Sequence, residues 1–90
     1  IMEYFIVALM TLVDPVFGTQ NVYVFTKPHA TIQECKMYAV ANIPQISETL
    51  YKNFGPDDKP SMITCVTEKT IKEFAIPAEE PTGENIHFNK

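Results

Sequence analysis

Chemistry in this chain could fall to few side chains: Cys35 and Cys65, His29 and His87, and the adjacent Asp57 and Asp58. A zinc site takes ligands in closely spaced pairs, and these cysteines and histidines form none. Asp57-Asp58 follows Gly55-Pro56 without the acidic spacing of a calcium loop, so it reads as a solvated turn. His29 and His87 read as an exposed loop residue and a tail residue. No P-loop, dinucleotide fingerprint, nucleophile elbow or glycosylation sequon is present. Cys35 lies on the inward stripe of a helix and Cys65 on a strand beneath it, and that inward register argues against a Cys-His catalytic pair. Two readings of the cysteines stand. As a disulfide they close a loop of about 30 residues, worth about 3–4 kcal/mol in the chain-entropy picture. As free thiols they are small buried hydrophobes. The expectation is a non-enzymatic chain with no catalytic residue, no metal ligand and no cofactor.

Ninety residues make one small domain. Apolar residues at 46% and charged residues at 20% are the balance of a globular chain rather than a disordered one. Eleven acids stand against seven lysines, with no arginine, for a net charge of −4. Bidentate phosphate recognition and counterion release both need clustered basic side chains, so this balance excludes nucleic acid as the expected partner.

The elements that would position the cysteines begin with Tyr4–Val13, ten apolar or nearly apolar positions. Ten is too short to span a membrane, which takes about 20, and no membrane partner is expected. Read as a signal peptide, residues 2–18 would end at Val16-x-Gly18, but Glu3 stands where a signal peptide carries lysine or arginine. The β-branched and aromatic content favours a strand, and both alternating faces are apolar, as in a central strand covered on two sides. A short connection leads to a second strand, Asn21–Thr26, stopped by Pro28. Thr31 and Glu34 have capping-box spacing. Ile32, Cys35, Ala39, Ile43, Ile46, Leu50 and Phe54 then recur every three or four residues as one helical stripe. Pro44 implies a kink or two abutting helices near residues 42–44, and Gly55-Pro56 ends the element. Ser61–Thr67 is a third strand, and Thr67 caps a short helix over residues 68–74 with Ile71 and Phe74 inward.

These elements predict an α+β domain over residues 1–76, followed by a polar tail over residues 77–90. Its topology is ββαβ. A three-stranded antiparallel sheet of order 2-1-3 carries one long kinked helix on one face, with a short C-terminal helix beyond. One helix covers one face only. The other face calls for a second copy or another protein, because a large open apolar patch is unusual on a monomer. Tyr23, Val24 and Phe25 on the second strand, with Tyr38 and Tyr51 beside the helix stripe, are the candidate interface residues, tyrosine being favoured at such surfaces.

Val22-Tyr23-Val24-Phe25-x-x-Pro28, Thr31-x-x-Glu34-Cys35, Asn42-x-Pro44 and Ile63-x-Cys65-Val66 together resemble small uncharacterised accessory proteins of tailed phages of marine cyanobacteria. The likeness covers about residues 2–74 and consists of core and cap positions. It implies an accessory phage product, a host-directed factor or a virion component, in the host cytoplasm or the virion, and it assigns no residue a role. The functional expectation is a protein-interaction module acting by self-association or by binding a host or virion protein. The alternatives are an exported, disulfide-bonded domain, secreted or periplasmic, whose residues 2–18 act as a signal, or a small-ligand binder.

Overall fold

The computed structural model describes residues 2–74 and 85–88. Strand β1 spans Tyr4–Val13 and β2 spans Gln20–Val24. Helices α1 (Ile32–Ala41) and α2 (Ile43–Phe54) follow, then β3 (Pro60–Thr67), α3 (Glu68–Phe74) and β4 (Asn85–Phe88). The fold is α+β, and β2 and β3 flank β1 antiparallel, in the expected order. β4 extends the sheet to four strands in the order β3-β1-β2-β4. That fourth strand is added to the three expected ones and falls within the stretch read as a tail; residues 77–84, 89 and 90 of that stretch lie outside the described residues. Local composition understates such a strand, because four residues offer too few positions for an alternating pattern to register.

Each turn has a local cause. Between β1 and β2, Asp14 Oδ1 accepts from the backbone N–H groups of Val16 (2.8 Å) and Phe17 (3.0 Å). Gly18 takes φ +66°, a left-handed backbone open to glycine without cost, and its N–H donates to Asp14 O. The Thr31 hydroxyl accepts from Glu34 N–H at 3.0 Å and starts α1. The helical stretch breaks at Asn42, which ends α1 and begins α2. Pro44 therefore falls in the first turn of α2, where its missing N–H has no intrahelical partner to lose. Gly55, at φ +83°, closes α2.

Alternation along β1 divides the interior in two. Ile6, Ala8 and Met10 pack with Cys65 of β3 and with Cys35, Ile46 and Leu50 of α1 and α2; Tyr4, Tyr23, Phe25, Ala39, Phe54 and Ile63 are half-buried around them. On the opposite face Val7, Val22 and Val24 pack with Ile71 of α3, ringed by Phe5, Leu9 and Val66. The face expected to need a second chain is thus closed over these residues by the short helix.

The single stripe from Ile32 to Phe54 does not survive the break at Asn42. A stripe assumes a constant 100° step, and two helices meeting at a break each set their own phase. Buried Cys35 with half-buried Ala39 serves α1, and Ile46, Leu50 and Phe54 serve α2, each set stepping by four. Ile32 and Ile43, expected inward, are 42% and 46% exposed.

Truncating Ile46 to alanine removes a buried side chain from the larger core and is expected to cost about 2–5 kcal/mol. A lowered urea midpoint with an unchanged slope is the result that checks it.

Candidate interaction surface

Cys35 and Cys65 form a disulfide across 30 residues of chain, with Cα atoms 6.2 Å apart. The Thr31 cap sets the phase of α1 that turns Cys35 toward the sheet, and the pairing of Ile6 with Cys65 places the second sulfur on the same face. Both residues are buried, at 0% and 6% exposure. Of the two readings the cysteine positions allowed, the structure has the covalent one. Sulfurs joined to each other in a buried bond are neither nucleophile nor metal ligand.

His29 and Asp58 were both expected in solvent, and both are buried. His29 is held by a backbone bridge: its N–H donates to Tyr4 O and its O accepts from Tyr4 N–H, each at 2.9 Å. That bridge draws the connection after β2 onto the start of β1, and the ring of Tyr38 stands 5.0 Å away. Asp58 Oδ1 accepts from Thr11 N–H and Leu12 N–H, both at 3.0 Å. The carboxylate completes the hydrogen bonding of β1 where β3 has run out, which is structural work. Asp57 is exposed, as a turn residue should be. Among the described residues no three His, Cys, Asp or Glu side chains gather into a metal-binding group.

The five candidate interface residues separate. Val24 is only 3% exposed, locked against Val7, Val22 and Ile71. Tyr23 and Phe25 are half-buried packing residues, their rings 4.9 Å apart edge to face, with Phe54 6.2 Å from Tyr23. Tyr38 lies between the His29 ring and Lys27, whose Nζ is 5.4 Å from the ring centroid. Tyr51, on α2, is exposed.

A different surface carries the open apolar area. β3 pairs with β1 only as far as Met10, whereas β2 follows it to Val13 opposite Gln20, so the end of the hairpin runs past β3. Leu12 and Val13 at the end of β1 are exposed, and in the loop Val16 and Phe17 reach 81% and 65%. All four stand outside both core clusters. Apolar type alone assigns the end of this run to a buried strand; a third strand shorter than the first is the sequence signal that the end of β1 outruns one of its neighbours. A second exposed apolar group, Met37 and Val40, lies on α1. The chain matches no protein-family model, no curated protein and no solved structure.

Two outcomes check this division of the surface. Val16→Asp should shift stability by no more than about 0.5 kcal/mol, whereas Val24→Glu, which places a charge in the smaller core, should unfold the domain or cost about 3 kcal/mol or more in a denaturant titration. Native protein should yield no thiol to a labelling reagent, two thiols should appear after denaturation with reductant, and a Cys35→Ala/Cys65→Ala chain should lose about 3–4 kcal/mol.

Proposed function

We propose that this chain is a non-enzymatic binding module that engages a protein, a second copy or another chain, through the apolar end of the β1–β2 hairpin. The observation that carries the reading is the exposure of Leu12, Val13, Val16 and Phe17 together at one end of the molecule, outside both cores. Exposed apolar side chains gathered in one place mark interaction sites on soluble proteins. A net charge of −4 without arginine favours a protein over a nucleic acid as the partner. No described helix is long and apolar enough to cross a membrane.

The buried Cys35–Cys65 bond favours work in an oxidising setting, where disulfides form and persist. Of the two settings implied by the likeness to cyanophage accessory proteins, it favours the virion over the host cytoplasm. It equally supports the reading as an exported, disulfide-bonded domain.

Light scattering from micromolar to millimolar protein, together with affinity capture from a lysate of candidate host cells, tests the reading on the wild-type chain and on Val16→Asp. The expected result is association that weakens at least tenfold in the variant while the melting temperature stays within about 2 °C. Association equal in both chains, or none in either, overturns the proposal.

A further inference from the structure

The outer edge of β2 has a property that the hairpin end does not share. Phe25 N–H donates to Ile6 O at 2.9 Å, so Tyr23 and Phe25 turn their backbone groups toward β1. By antiparallel alternation, Gln20, Val22 and Val24 turn theirs outward. β4 meets that edge antiparallel, with Ile86 opposite Val22 and Phe88 opposite Gln20. In the sheet, β4 neighbours β2 alone. The seam also contains an imperfection: Asn21, opposite His87, has its Oδ1 buried with no hydrogen-bond partner among the described residues. An unpaired buried acceptor weakens closure of the seam and favours its opening.

From this we infer that the outer edge of β2 is a strand-accepting site, filled by β4 of the same chain in dilute solution and by β4 of a second copy at high concentration. The register that serves within one chain serves between two without change, because the sequences are identical. Chain length permits both. Three strand spacings of about 4.8 Å separate β3 from β4, roughly 14 Å in all. The ten residues between α3 and β4 reach about 33 Å when extended. A connection of that length gives the tethered strand an effective concentration of order millimolar, which sets the protein concentration at which exchange competes. The inference concerns a surface separate from the hairpin end and stands without it.

Asn21 and His87 occupy a non-hydrogen-bonded pair, whose Cα atoms lie about 4.5 Å apart, within disulfide range. The test therefore mixes a full-length Asn21→Cys chain with a full-length His87→Cys chain. Both carry Val16→Asp to silence the hairpin end, and they are oxidised mildly at about 1 mM and about 1 μM. The expected result is a disulfide-linked heterodimer at the higher concentration, reduced more than tenfold at the lower. It should be lost when the His87→Cys chain also carries Ile86→Pro, which removes one of the donors that β4 presents to β2 and cannot sit in a paired position of the ladder. A chain with both cysteines, oxidised at 1 μM, should close within itself. No heterodimer at 1 mM, a heterodimer indifferent to Ile86→Pro, or a double-cysteine chain that does not close would each overturn the inference. Because α1, β1 and both cores are untouched, melting curves of each variant confirm that the domain being scored is folded.

Discussion

Everything in this domain answers to a strand with two apolar faces. β1 places Ile6, Ala8 and Met10 on one side and Val7, flanked by Phe5 and Leu9, on the other, so neither side of the sheet can be left to water. Two covers follow, and they are unequal. The larger is the pair α1 and α2, crossing between β2 and β3. The smaller is α3, which places Ile71 over Val7, Val22 and Val24. The crossover puts β3 on the far side of β1 from β2, which makes β1 central and gives both of its backbone edges a partner. A β-strand slipped by one residue would exchange its two faces, and here that slip would set Ala8 and Val7 against cores of the wrong size.

The larger cover is thinly attached through its first helix. Only Cys35 of α1 is fully buried, with Ala39 half-buried behind it, while Met37 and Val40 face solvent. Burial of so few side chains cannot hold ten residues in place against their conformational entropy. The disulfide to Cys65 supplies the missing restraint, and small domains commonly depend on such a staple because their cores are short of area. α2 buries more side chains, with Ile46, Leu50 and Phe54 on one face.

Much of this was legible in the order of residues. The two-faced run at Tyr4–Val13, the Thr31 cap, the break forced near Pro44 and the inward Ile71 each express a local rule, and local rules act before tertiary packing. Three features escaped for stated physical reasons. β4 is a four-residue strand held by an edge, so its own composition carries little signal. The burial of His29 and Asp58 comes from backbone groups of β1 that are distant in sequence, Tyr4 in one case and Thr11 and Leu12 in the other. The face opposite the long helix reads as open in the sequence because α3, only seven residues long, looks too small a cover. One well-placed isoleucine closed it.

The loop that carries Val16 and Phe17 is not a free tether. Asp14 ties two of its N–H groups to one carboxylate oxygen, Gly18 N–H returns to Asp14 O, and Asp14 N–H reaches Thr19 O at 2.8 Å. At its base Asp58 clamps Thr11 and Leu12. These bonds fix the backbone of the projection during folding. A ligand that seats on it therefore meets a preorganised peg, and the ordering entropy that a floppy loop would lose on complex formation has already been lost. Differences in affinity among ligands of such a peg reside in the dissociation rate, in how well a pocket holds a shape that does not yield.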